Sequence, residues 1–322
     1  MQEQVAVEKT PLVPENGEDF DLIVIGAGPA GMAASVGAGR ARLKTLVIDK
    51  ALPGGQATTS YRVYNYLGFP GGILGSDLAV QMEEHMNMHN IYYTCEAVDD
   101  LVNVGPQEKA VKTALGHIYK SKAIIIAVGL EPKMINSTFE RQFLGRGISY
   151  YAQCDGESYR DKDVAVIGGG NCACYAAEYL SEFVNRLYLV HGSDDIKAVK
   201  NLREKVFSNP KIDILWNTEM VDVFGLDHLE KIKLLNHSTQ QHTWLDVKAA
   251  FVYVGRKPPE DILSLELDVD EDGYIVTDEY MRTNIPGIYA AGDIRVKQIR
   301  QIVTAVSDGM IAAVNVERDI FR

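Results

Sequence analysis

The sequence predicts an α/β protein made of two strand–turn–helix units of one design, the second set inside the first. Two segments carry that prediction: Asp21-Leu-Ile-Val-Ile-Gly-Ala-Gly-Pro-Ala-Gly31 and Asp163-Val-Ala-Val-Ile-Gly-Gly-Gly170. A third, Gly287-Ile-Tyr-Ala-Ala-Gly-Asp293 followed by a closing helix from about Arg300 to Arg318, returns the chain to the first unit. The chain has 322 residues, enough for two domains at about 100–200 residues each. Both read as Rossmann-like, three-layer ββα domains.

In the first unit an apolar strand runs straight into Gly26-x-Gly28-x-x-Gly31, and a small-residue helix follows through Ala41. Gly26 permits the tight turn, Gly28 lets backbone approach a pyrophosphate, and Gly31 lets the helix pack on the strand. The helix start then turns unpaired amides toward the phosphates. The second strand, Thr45–Ile48, ends in Asp49, an acceptor for ribose hydroxyls at the expected spacing of about 20 residues.

The second unit continues from its glycines into a helix over Asn171–Phe183 and a strand over Arg186–Val190. Gly168-x-Gly170-x-x-Ala173 is the variant with alanine in third place. Its strand ends in Val190-His191-Gly192-Ser193, with neither an acid for a ribose nor an arginine pair for a 2′-phosphate. The turn is kept while the nucleotide-selecting end is missing, so NADPH or NADH binding here is doubtful.

Ala123-Ile-Ile-Ile-Ala-Val-Gly129 and Ala249-Ala-Phe-Val-Tyr-Val-Gly255 close the two units in parallel fashion. The expected division is a mobile N-terminal arm over 1–19, an outer domain from 20–130 and 260–322, and an inserted domain over 131–259. Glu131–Lys133 and Arg256–Pro259 form the expected hinge. The N-terminal stretch lacks the basic start and apolar middle of a signal peptide, and the longest apolar run falls far short of about 20 residues, so a cytoplasmic protein is expected. A net charge of −12 argues against nucleic acid or anionic lipid as partners. The four cysteines, Cys95, Cys154, Cys172 and Cys174, are too few for a disulfide framework.

From Asp21 to Arg318 the chain resembles the low-molecular-weight thioredoxin reductases. The resemblance rests on Gly26–Gly31, Gly54-Gly-Gln56, Asn65-Tyr-Leu-Gly-Phe-Pro70, Cys154-Asp-Gly156, Val166-Ile-Gly-Gly-Gly170, Ala290-Ala-Gly-Asp293 and Arg300-Gln-Ile-Val-Thr-Ala305. It implies FAD in the outer domain. Gly54, Gly55, Gln56 and Asn65 would follow the pyrophosphate and ring, with Gly129 also in that site. Asp293 would meet the ribityl or phosphate region, and Arg300 with Gln301 the pyrimidine edge, where a donor steadies the reduced ring's charge. A homodimer is likewise implied.

Two departures from the family decide the expected function. Members usually carry Cys-x-x-Cys-Asp-Gly, whereas this chain reads Tyr151-Ala-Gln-Cys154-Asp-Gly156. By resemblance Cys154 is the flavin-facing thiol, Asp155 serves its proton, and a helix start favours its thiolate. One thiol cannot store two electrons as an intramolecular disulfide. A relocated partner is expected in Cys172 or Cys174, against the alternative that both simply pack a helix on a sheet. The second departure is His191-Gly-Ser-Asp-Asp-Ile-Lys197, which lacks the family's arginine cluster for NADPH and presents Asp194 and Asp195 instead. Tyr150 and Tyr151 would suit stacking on a second flavin or simply fill space.

The leading expectation is thus an FAD-dependent thiol–disulfide oxidoreductase acting on a protein or small-molecule disulfide, fed by ferredoxin or a second bound FAD rather than NADPH. The alternatives are an NAD(P)H/ferredoxin-type flavin oxidoreductase without cysteine chemistry, and a flavin-based redox sensor.

Overall fold

A computed structural model describes residues 12–105, 108–135, 137–259 and 266–321. The chain forms two compact units, 1–131 with 257–322, and 132–256. The expected return at residue 260 and residues 1–11 of the expected arm lie outside the described residues.

In the first unit, strands Ile91–Cys95, Thr45–Asp49, Asp19–Ile25 and Ile118–Ile126 lie side by side in parallel. The free edge of Ile118–Ile126 is shared. Its first half pairs antiparallel with Glu108–Thr113, and its second half takes Ile288–Ala290 in parallel. The alternation of strand side chains builds two cores from one strand. Leu22 and Val24 face the helices, with Met32 and Ala312, while Ile23 and Ile25 face Leu101 and Val111 on the other side. Each such buried aliphatic contributes roughly 1.5–3 kcal/mol relative to exposure. Helix Pro29–Arg40 packs against Ile302–Ile320 with backbones close together: a methyl on Gly309 would lie 2.0 Å from the Ala30 carbonyl oxygen.

The second unit repeats this plan. Its parallel sheet orders Ile148–Ser149, Ala249–Val252, Asp163–Ile167, Arg186–Val190 and Ile212–Leu215. Val164 and Val166 face the helix Asn171–Ser181, and Ala165 and Ile167 face the three-stranded antiparallel sheet Thr218–Gly225, Leu229–Asn236 and Gln241–Asp246. Helices on one face and a meander on the other give the three-layer arrangement in both units.

Some expectations need correction. Residues 12–19 are not a mobile arm. Leu12 bridges Tyr92, Asn16 accepts the Ile118 amide, and Asp19 already begins a central strand, so backbone bonds hold this stretch to the sheet edge. The helix after the Gly168–Gly170 turn ends at Ser181 rather than Phe183, and the closing helix runs Ile302–Ile320. Cys95 is the last residue of its strand and is exposed.

Candidate functional site

The first unit holds a cradle at the carboxyl ends of its parallel strands. Gly26 turns with φ +103°, and a Cβ there would lie 2.4 Å from the Ala127 oxygen. Gly31 is more constrained, since its Cβ would fall 1.8 Å from the Gly26 oxygen. Over this turn crosses Gly54-Gly55. The Gly54 amide donates to the Ala27 oxygen at 2.8 Å, and a Cβ on Gly55 would sit 2.9 Å from the Gly28 Cα. Two backbones therefore touch where only glycine fits, leaving an open shelf above Gly28. Helix Pro29–Arg40 has no side-chain cap at Gly28, so its first amides are available to an anion.

Asp49 is placed at the shelf's end but is already engaged. Its carboxylate accepts the Ala27 amide at 2.6 Å and the Ala51 amide at 2.9 Å, which leaves further lone pairs for a ribose. Gln56 donates to the Leu130 oxygen at 2.9 Å, next to Gly129 at φ +65°. Residues 236 apart in sequence meet where the Asn65 amide donates to Gln301 at 2.8 Å. Gln301 also caps helix Ile302–Ile320 through a capping box with Thr304.

Asp293 lies in the single turn Gly292–Ile294, whose Gly292 amide donates to the buried carboxylate of Asp308 at 3.1 Å. Lys297 bonds that same carboxylate at 2.7 Å, so an internal ion pair pins the turn from below. Sequence reasoning missed this support; Lys297 before the closing helix and Asp308 within it are ordinary charges until folded. Arg300 differs from expectation. Its guanidinium lies 3.9 Å from the centroid of the Tyr274 ring and donates to the Asp293 and Arg295 oxygens. Backbone carbonyls and an aromatic face hold it, so the amides of Gln301 and Asn65 are the more accessible polar groups here. The shelf fits a dinucleotide such as FAD: glycines where a Cβ would intrude, an uncapped helix start, and an acid at the ribose end.

In the second unit, Gly168 turns with φ +136°, and a Cβ there would lie 2.4 Å from the Tyr253 oxygen. Gly170 precedes helix Asn171–Ser181, again without a side-chain cap. Beside this turn opens a cavity of about 670 Å³, whose walls include Tyr150, Gly168–Gly170, Cys172, Glu219, Tyr253 and Arg256. The segment after the second strand folds back over the turn. The Lys197 amide bonds the Gly169 oxygen at 2.9 Å, and Asn171 accepts the Val199 amide. Arg203 is tied to Asp195 at 2.7 Å.

The cysteine segment packs on this helix: a Cβ on Gly156 would lie 2.6 Å from Leu180. Tyr151 caps a helix of only four residues, Ala152–Asp155, in which Cys154 is exposed. Ser149 donates to Asp155 at 2.6 Å and accepts the Tyr151 amide at 2.9 Å, fixing the carboxylate beside the thiol. The expected thiolate-favouring environment is absent. Desolvation first, and the Asp155 charge second, push the Cys154 thiol above its ordinary pKa. A single turn of helix has too small a dipole to offset them.

Cys172 and Cys174 diverge as i and i+2 on a helix must. Cys172 is exposed on the cavity wall, whereas Cys174 is fully buried among Val164, Ala177 and Leu180, its thiol pushed up to about 11 by burial. Cys174 is therefore a core residue, and its expected catalytic role is withdrawn. Tyr253 joins the other two. Its hydroxyl accepts the Ala152 amide at 3.0 Å, and burial raises it to about 12, with the Cys172 and Cys154 sulfurs both near enough to push the same way. The sequence offered Tyr253 only as part of a strand motif. Tyr150 lines the cavity, with its hydroxyl held by the buried Glu140, while Tyr151 is half-buried outside the cavity wall.

The pyridine nucleotide-disulphide oxidoreductase family matches residues 20–309. A thioredoxin reductase of Listeria innocua is 39% identical over 301 residues, 93% of this chain and 93% of that protein. The crystal structure of Lactococcus lactis thioredoxin reductase superimposes with a TM-score of 0.89 at 34% identity, covering 94% of this chain and 99% of that one. A ferredoxin-flavin thioredoxin reductase of Clostridium acetobutylicum aligns with a TM-score of 0.52 at 30% identity, covering 94% and 99%.

Proposed function

This chain belongs to the pyridine nucleotide-disulphide oxidoreductase family, as a flavin-dependent disulfide oxidoreductase of the low-molecular-weight thioredoxin reductase type, and from that premise we propose a relocated dithiol and a donor other than NADPH. The carrying observation is that Cys154 and Cys172 are both exposed in one unit and each lies within electrostatic reach of the Tyr253 hydroxyl. Cys172 takes the role of the cysteine that Tyr151 replaces.

FAD, when bound on the Gly26–Gly31 shelf, supplies a two-electron carrier. Reduction of a Cys154–Cys172 disulfide by two electrons and two protons yields two thiols. One thiolate opens the substrate disulfide, releasing the first substrate thiol. The other cysteine closes on the mixed disulfide, releasing the second and restoring the internal bond. Asp155, oriented by Ser149, accepts the Cys154 proton. The Tyr253 hydroxyl, too weak an acid to ionise at neutral pH, remains a neutral neighbour that hydrogen-bonds without competing as a base.

Ferredoxin is the proposed donor, delivering one electron at a time, so two are needed per disulfide. Support comes from the ferredoxin-flavin relative and from the loop over 191–197, whose Asp195 neutralises Arg203 of the helix Lys200–Ser208. A thioredoxin-like protein is the proposed acceptor, in a homodimer and in the cytoplasm. No described helix is long and apolar enough to cross a membrane.

Peptide mapping of the air-oxidised, alkylated protein tests the dithiol. A Cys154–Cys172 linkage is expected. Unlinked cysteines under oxidation, with disulfide turnover intact in Cys172→Ser, would discard the reading.

A further inference from the structure

The cavity of the second unit contains an acid that the end of its second strand lacks. Past Val190 the chain runs through His191 and Gly192, where a ribose-binding carboxylate would ordinarily stand. A different strand, Thr218–Gly225, fills the place from the side. Its first residue donates its amide to the His191 oxygen at 2.9 Å, which sets the next residue, Glu219, against the strand end. A Cβ on Gly192 would lie 3.8 Å from Glu219 Oε1, so the backbone at Gly192 and this carboxylate oxygen are neighbours on the cavity wall. The other oxygen, Oε2, pairs with His237 Nε2 at 3.1 Å. One oxygen is thus anchored while its twin faces the strand end.

We propose that Glu219 makes this cavity a site for an adenosine-diphosphate dinucleotide with an unmodified ribose 2′-hydroxyl, as in NADH or FAD, and that it rejects the 2′-phosphorylated form. The anionic diphosphate belongs at the Gly168–Gly170 turn, where the uncapped helix start offers amides, with Lys197 and Arg256 also on the cavity wall. The ribose belongs at Gly192, where Glu219 Oε1 accepts a 2′-hydroxyl proton. A 2′-phosphate there would instead bring like charge against a carboxylate at a few ångströms, and Arg203, a cation on the following helix Lys200–Ser208, is already paired with Asp195. This goes beyond the dithiol reading and does not depend on it, because the ligand is recognised by hydroxyl, charge and turn alone.

Titration calorimetry of the purified flavoprotein with ADP-ribose and with its 2′-phosphate separates the two readings. ADP-ribose is expected to bind at least about tenfold tighter, and Glu219→Gln to reduce that preference to about threefold or less, since the neutral amide removes the repulsion. Glu219 is exposed, so the variant should keep its fold; an unchanged melting curve and flavin spectrum confirm that. Two further arms name the source of the dinucleotide: bleaching of the flavin band by NADH marks a pyridine nucleotide, and a second FAD retained per chain after gel filtration marks a flavin. Equal affinity for the two probes, binding of neither by protein that carries one FAD per chain, or a preference that survives in Glu219→Gln would overturn the proposal. None of these results alters the Cys154–Cys172 mapping, so the two ideas fail separately.

Discussion

The glycine turns of the two units begin alike and end differently. Gly26 and Gly168 both adopt left-handed φ, and each would drive a Cβ to 2.4 Å from a carbonyl on the neighbouring strand's exit, Ala127 in one and Tyr253 in the other. Beyond the turn they diverge. The first unit's second strand ends in Asp49, which bonds the turn itself through the Ala27 amide. In the second unit His191 stands there, and its ring occupies the space where a side chain on Gly169 would go, within 2.4–2.5 Å. Strand-to-helix packing dictates the turn, so it survives in both. The ligand is chosen by the few side chains at the strand end, and these are free to change without disturbing the fold.

The largest effect should come from breaking the first turn. Gly26→Ala meets backbone at a φ that L residues avoid, at a cost of about 3 kcal/mol. We expect the purified variant to lack its flavin absorbance, while Gly168→Ala stays yellow. Full flavin occupancy in Gly26→Ala would show that the two turns do not divide the labour as described. Next in size, Cys154→Ser and Cys172→Ser should each lower disulfide turnover by about a hundredfold or more, with flavin reduction by the donor unaffected. Steady-state assays with a disulfide acceptor would read this.

Asp49→Ala removes two charge-assisted bonds to the loop. At about 1.5–3 kcal/mol for a bond to a charged group, FAD should dissociate at least about tenfold more readily, measured by flavin release on dilution. A subtler test concerns pH. Because desolvation and the Asp155 charge hold the Cys154 thiol up, its alkylation should rise through a midpoint above that of an ordinary thiol. Removing the negative charge in Asp155→Asn should move that midpoint to lower pH; an unmoved profile would detach the carboxylate from the thiol. The smallest effect belongs to Cys174→Ala, where loss of a buried sulfur should lower stability by about 1 kcal/mol and leave turnover unchanged.

The family and the fold were readable because they rest on local patterns: alternating apolar strands, glycines in register, and short motifs that tolerate little variation. The candidate site was readable only in part. Gly54-Gly55 could be placed from a motif, but its crossing over Gly28 is a contact between separate segments. Cys172 and Cys174 looked equivalent as letters two apart. Helical phase sends one to the cavity and the other into the core, and phase relative to the sheet is set by packing. Arg300 invited a role at the ring edge, but Tyr274 and two carbonyls claim its guanidinium. The helix start expected to acidify Cys154 is one turn long, which motif spacing does not reveal.

By itself, the order of residues determined that this is a twofold α/β chain of the thioredoxin reductase type that reads Tyr151-Ala-Gln-Cys154, with a single cysteine in that segment. Those properties follow from periodicity and steric limits that act over a few residues. Tertiary structure alone decided that Cys172 lies exposed on a cavity wall while Cys174 is buried, and that Glu219 reaches the end of a strand it does not belong to. Such meetings join residues from different strands and helices, and only the packing of the layers brings their side chains within reach.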